Sequence, residues 1–224
     1  MKMMRSVVIS LAMILLSAPL IHGQDLSKYR DFSFGMSLVE LSKQIDTQPL
    51  HTKLIHKRPA LIQELAWWPR DSSDSSLQAD SVRQVFFSFC NGELYRILVT
   101  YDRHATQGLT AEDMIQAVST KYGTATRPEA QISFPTNELY RSTEKVVARW
   151  EDSQYSINLF RSSLLNSFGL VMFSKRLDGQ ADAAIAESVK LEGREDLQKE
   201  SDRQKREADN LEVARQKNRN TFHP

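Results

Sequence analysis

The stretch VRQVFFSFC (82–90), NG (91–92), ELYRILVTYD (93–102) decides how this chain is read. Asn91-Gly92 sits between two β-rich runs, and a type I′ turn needs positive φ at both central positions, so a hairpin is expected here. With a two-residue loop, Phe89 opposes Leu94, Phe87 opposes Arg96 and Val85 opposes Leu98. The other face then pairs Phe86 with Ile97, Ser88 with Tyr95 and Val82 with Tyr101. Both faces are largely apolar, whereas an open antiparallel sheet usually wets one face. Something must cover each side. Downstream, Thr110-x-x-Asp113 opens a helix in the manner of a capping box. Met114, Ile115, Val118 and Tyr122 follow at helical spacing, and Gly123 stops it.

Upstream, Ser37-x-x-Glu40 is a second capping box, ahead of Leu38, Leu41, Ser42 and Ile45. Leu61 to Trp68 alternates and reads as a strand closed by Pro69. The segment 50–58 and the Ser/Asp-rich run 71–81 read as loops. After an irregular connection over 124–143, three strands are expected: Val146–Trp150, Tyr155–Phe160 and Phe168–Phe173. Residues 35–45 and 108–118 align at an offset of 73, and the same offset carries 82–90 onto 155–163 and 94–101 onto 167–174. Leu-Ala-Trp-Trp68 then matches Val-Ala-Arg-Trp150. The expectation is an α+β fold of duplicated αβββ units (about 32–102 and 108–177) within a domain spanning 30–177. Its antiparallel sheet would carry two helices on one face.

Gly108-Leu-Thr110, Val118, Tyr122-Gly123 and Pro128, followed by strands, resemble the helix module of small outer-membrane assembly lipoproteins of the BamE/SmpA type. Tandem copies are similar to secreted β-lactamase-inhibitor-like proteins. The resemblance covers roughly 35–177 and implies a non-catalytic envelope or secreted protein acting by contact. This chain lacks the lipobox cysteine, so membrane anchoring is not implied.

The ends of the chain differ from its middle. Lys2 and Arg5 precede an apolar run from Ser6 to Ile21, and the pattern is that of a signal peptide cleaved after Gly23, giving an exported protein. The formal charge of +1 falls to near −1 without Lys2 and Arg5, leaving no global attraction to nucleic acid or anionic lipid. No later run approaches membrane-spanning length. Residues 178–224 are Ala-rich and then highly charged, and read as a charged C-terminal helix or a disordered tail. Ile185, Val189 and Leu191 are candidates to dock it on the domain. Acid-first pairs Glu195/Lys199 and Asp202/Arg206 support a helix. The seam Leu197, Ser201, Gln204, Ala208, Leu211 is polar for a coiled coil.

Reactive chemistry is sparse. His51 and His56 lack the company a metal site needs, and no cofactor motif is present. Asp102 beside His104 is the one arrangement that could orient a base for a hydrolase, but no nucleophile motif accompanies it. Cys90 is the only cysteine, which excludes an intramolecular disulfide. The residues with binding character are Trp67, Trp68, Trp150, Tyr95 and Arg96, which either anchor a partner on a sheet face or pack beneath the helices. The expected function is therefore contact with a protein partner, a second copy included, through an apolar sheet face or the C-terminal helix. The alternatives are a small-molecule or lipid carrier using the aromatic face, and a hydrolase.

Overall fold

The computed structural model describes residues 24–46, 51–69, 81–134, 143–162 and 166–221. The N-terminal run expected to be a signal peptide and most of the Ser/Asp-rich run 71–81 lie outside them.

An eight-stranded antiparallel sheet organises the molecule, in the order β3-β4-β5-β6-β10-β9-β8-β7. Its strands are β3 (Lys53–His56), β4 (Ile62–Trp67), β5 (Val82–Cys90), β6 (Glu93–Tyr101), β7 (Gln131–Ile132), β8 (Glu144–Glu151), β9 (Tyr155–Ser162) and β10 (Ser167–Ser174). A two-stranded ribbon, β1 (Lys28–Tyr29) with β2 (Phe32–Ser33), precedes it. The strand order reads outward from the central β6–β10 pair in the same sense on both sides, and each half is headed by a short helix. These helices are α1 (Leu38–Gln44) and α2 (Ala111–Tyr122). The third helix, α3 (Lys175–Thr221), follows β10 directly. The fold is α+β. Each half carries one strand more than the expected three, because part of the segment 50–58 forms the edge strand β3 and β7 flanks β8.

Both capping boxes form. Ser37 Oγ accepts the Glu40 N–H while the Glu40 carboxylate accepts the Ser37 N–H, and Thr110 with Asp113 repeats the arrangement. The aspartate, one methylene shorter than the usual glutamate, still reaches the Thr110 N–H at 2.8 Å. These caps satisfy amides that a helix start otherwise leaves open.

The first face of the sheet packs against α1, α2 and the β1–β2 ribbon. Leu65, Val85, Phe87, Phe89, Ile97, Val99, Trp150, Ile157, Leu159, Leu170 and Met172 meet Leu41, Ile45, Met114, Ile115, Val118 and Tyr122 there. Phe32 of the ribbon packs edge-on against Phe87 at 4.8 Å and against Trp67 at 5.7 Å.

The second face is covered by the same chain. Ile62, Cys90 and Tyr95 lie under Leu177, Ala181 and Ile185 of α3. Phe86, Leu98, Phe160 and Val171 lie under Phe134. Gly169 opposes Phe160 across the β9–β10 pair, and a Cβ there would come within 2.3 Å of the Phe160 ring. The missing side chain is what lets that ring lie across the strand.

The hairpin register departs from the two-residue ideal. Phe89 pairs with Leu94, but Ser88 pairs with Arg96, so Tyr95 is an extra residue in β6. A β-bulge of this kind re-aims the side chains beyond it. Phe87 consequently opposes Ile97 and Phe86 opposes Leu98. Tyr95 and Arg96 both turn towards α3. Similarly, Trp67 rather than Trp68 shares the helix-covered face with Trp150.

Candidate functional site

Arg96 is the polar centre of the α3 dock. Its guanidinium donates to Asp178 Oδ1 at 2.7 Å and approaches Asp182 Oδ1 at 3.5 Å. It also lies over the rings of Tyr95 and Phe173, at 5.7 and 5.9 Å from their centroids. Arg96 and Asp178 are both buried. Burial pushes the Asp178 carboxyl up to about 6, with the neighbouring guanidinium pulling the other way. Burial likewise pushes the Tyr95 hydroxyl up to about 12.

Further along α3, Ser188 donates to the Arg58 carbonyl, His56 Nδ1 lies 3.0 Å from Glu192 Oε1, and Arg58 reaches Glu195 Oε1 at 2.6 Å. At its start, Lys175 pairs with Glu151 at 2.8 Å and donates to the Asp152 carbonyl at 2.7 Å. The docked stripe of α3 is thus Leu177, Asp178, Ala181, Ile185 and Ser188, spaced as one helix face. Ile185 docks as expected. Val189 points to solvent and Leu191 is half-buried.

Past this dock α3 continues through Gly193 without a break to Thr221, and every residue from 201 to 221 is exposed. At 1.5 Å per residue that is roughly 30 Å of solvated helix. Local pairs line it: Arg203 with Glu200 at 2.8 Å, Gln198 with Asp202 at 3.0 Å, and Arg215 forked onto both oxygens of Glu212 at 2.6 Å. Arg215 holds the Glu212 carboxyl below its ordinary range. The Glu195/Lys199 and Asp202/Arg206 pairs expected from sequence do not form as such. Glu195 is taken by Arg58, Lys199 turns to Asp196, and Arg206 bonds the Asp202 carbonyl. Leu197, Leu211 and Val213 are 75%, 72% and 66% exposed, unusual for aliphatic side chains on a helix with no cover.

The five residues singled out for binding separate sharply. Trp150 is buried, its indole N–H donating to the Gly123 carbonyl at 2.8 Å and to Ser119 Oγ at 3.2 Å, so it ties β8 to the end of α2. Trp67 is half-buried beneath the ribbon, and Tyr95 and Arg96 are sealed under α3. Trp68 alone of the five is mostly exposed, at 59%. Asp178, Ala181 and Ser188 were not singled out by sequence. The signal available was Arg96 itself, a cation mid-strand that required a carboxylate from elsewhere.

The potentially reactive groups have structural roles. Asp102 Oδ1 accepts the backbone N–H groups of His104 and Ala105 at 2.8 and 3.0 Å, which lowers its carboxyl pKa. Its bonds are those of a loop-capping aspartate, not of one orienting an imidazole. Cys90 is buried and burial pushes its thiol up, away from the nucleophilic thiolate. His56 serves the α3 dock. Among the described residues, no group of three or more His, Cys, Asp or Glu is placed to hold a metal, and no helix is long and apolar enough to cross a membrane. No protein-family model, curated protein or solved structure matches this chain.

Proposed function

We propose that this is an exported, non-catalytic protein that binds a protein partner through the solvated half of α3. One observation carries the reading: a helix anchored on the sheet by a buried ion pair and an apolar stripe continues for some 30 Å with exposed Leu197, Leu211 and Val213. A helix held out in this way has little further entropy to lose on binding, since its nucleus is already formed by the docked turns. It presents one spaced row, Leu197, Ser201, Gln204, Ala208 and Leu211, to a groove or a partner helix.

The aromatic sheet face, which either a partner or a carried lipid would need, is filled by α3 and Phe134. That favours contact through the helix over both sheet-face binding and carriage. The apolar leader supports export, and the palindromic strand order supports descent of both halves from one αβ unit, in keeping with the likeness to contact-acting envelope proteins.

The test compares the secreted chain with a version ending at Glu195, by crosslinking and pull-down from an envelope extract and by sedimentation for self-association. The expected result is a partner, or a second copy, held by the full chain and lost from the shortened one, with the melting of the sheet unchanged. Equal capture by both, or a monomeric full chain that captures nothing, would sink the reading.

A further inference from the structure

The face of α3 that turns away from the sheet carries a pattern of its own. With about 100° of turn per residue, Gly179, Ala183, Ala186, Gly193, Leu197 and Leu211 fall within about 40° of one line along the helix. All six are exposed, and the line runs opposite the docked Leu177, Ala181 and Ser188. A Cβ at Gly179 or Gly193 would meet nothing within 4 Å, so packing within this chain calls for neither glycine. Glycine is nonetheless the poorest helix former after proline.

Large and small residues on this line are placed symmetrically about Glu195. Leu197 and Gly193 each lie two residues from it, Gln204 and Ala186 nine, and Leu211 and Gly179 sixteen. A second α3 turned end for end about that point sets each leucine over a glycine and Gln204 over Ala186. A knob then meets a gap at each of these levels. Parallel, in-register pairing would instead set leucine on leucine and leave the glycine levels empty. The flanks agree on one side, where the end-for-end arrangement brings Glu187 to Lys205 and Arg176 to Glu212. On the other side it brings Asp182 to Glu207, and Asp182 is already drawn to Arg96 at 3.5 Å.

We infer that the outward face of α3 pairs antiparallel with α3 of a second copy, about a twofold axis near Glu195. The inference rests on the reading of the free half of α3 as a contact surface, and it names the partner. The same patch serves both copies, as a twofold interface requires. The overlap from Arg176 to Glu212 runs about 55 Å and covers the exposed Leu197 and Leu211. Because the docked faces point away from the pair, the two sheets lie on its outer sides and do not compete for the space between the helices.

Sedimentation equilibrium of the full chain tests this, together with disulfide crosslinking of single-cysteine variants; the native Cys90 is buried. The expected outcome is a monomer–dimer equilibrium across about 1–100 µM. Gly179→Leu or Gly193→Leu should weaken it by about tenfold or more, by filling the gap a leucine needs, while leaving the melting of the sheet unchanged. Val213→Ala, on the opposite face of the helix, should dimerise as the wild type does. Ala186→Cys mixed with Gln204→Cys should crosslink, and neither should do so alone. Crosslinking of each variant with itself, or a dimer indifferent to both glycine substitutions, overturns the inference. A chain monomeric at about 100 µM that still captures an envelope partner through residues beyond Glu195 also overturns it, but leaves the contact reading standing. A monomeric chain that captures nothing sinks both.

Discussion

The two halves of α3 are one continuous helix governed by different physics. From Lys175 to about Glu195 the helix is a layer of the fold, with Leu177, Asp178, Ala181, Ile185 and Ser188 buried against the sheet. From Ser201 to Thr221 no side chain is buried, and cohesion comes from pairs within the helix itself. The docked half is held by tertiary contacts and would lose its identity if they were removed. The free half is held by local pairing and inherits its starting turn from the docked half. A helix can thus cross from core to solvent without any sequence break, and Gly193 near the crossing does not interrupt it.

The sharpest way to break the contrast is at Arg96. Arg96→Ala strands a buried carboxylate, and denaturant unfolding should show a loss of about 3–5 kcal/mol. A joint Arg96→Met, Asp178→Leu replacement should recover most of it, because the pair's desolvation cost is removed along with its attraction. Next come matched truncations in the two halves. Ile185→Ala should cost about 2–4 kcal/mol through lost burial and a cavity, while Leu211→Ala should stay within about 0.5 kcal/mol. Equal effects would mean that the free half is covered in solution.

Asp178 also gives the docked half a pH signature. With its carboxyl raised to about 6, the folded chain binds a proton that the unfolded chain has released, between the ordinary carboxylate value and about 6. This contribution to stability is complete below that window and is lost as pH rises through about 6, by at most roughly 3 kcal/mol. The stability difference between wild type and Asp178→Asn should therefore decline with rising pH across that range. Parallel curves would refute the assignment. The smallest effect belongs to the free half: Glu212→Gln removes the fork with Arg215 and should trim far-ultraviolet helicity slightly, with no change in the unfolding midpoint of the sheet.

Much of the architecture was legible because it rests on local rules. Asn91-Gly92 made the hairpin, Ser37/Glu40 and Thr110/Asp113 capped the helices, and the alternation of Leu65 and Trp67 with Ile62, Glu64 and Ala66 marked a strand. What failed was register and cover. The bulge at Tyr95 has no signature in an unbroken run of β-forming residues, and it shifts the pairings from Arg96 to Thr100 by one, until a second irregularity between Val82 and Gln84 returns Val82 to Tyr101 as expected. Trp68 could be aligned with Trp150 in sequence, but side-chain alternation in β4 assigns the helix-covered face to Trp67. The edge strand β3 is only four residues long and sits among basic residues, so only its pairing with β4 reveals it. Of the aromatic candidates for a binding surface, Trp67, Trp150 and Tyr95 turned inward and Trp68 did not, because periodicity says that a face is apolar, not what lies on it.

The sequence by itself determined α1, α2, their caps, the longer strands and the doubly apolar character of the central hairpin, since each depends on residues a few positions apart. Only the tertiary structure decided that α3 and Phe134 form the layer over the second face, because those contacts join residues far apart along the chain. Arg96 and Asp178 meet across 82 positions, and the bulge that aims Arg96 at its partner exists only once the strands have paired.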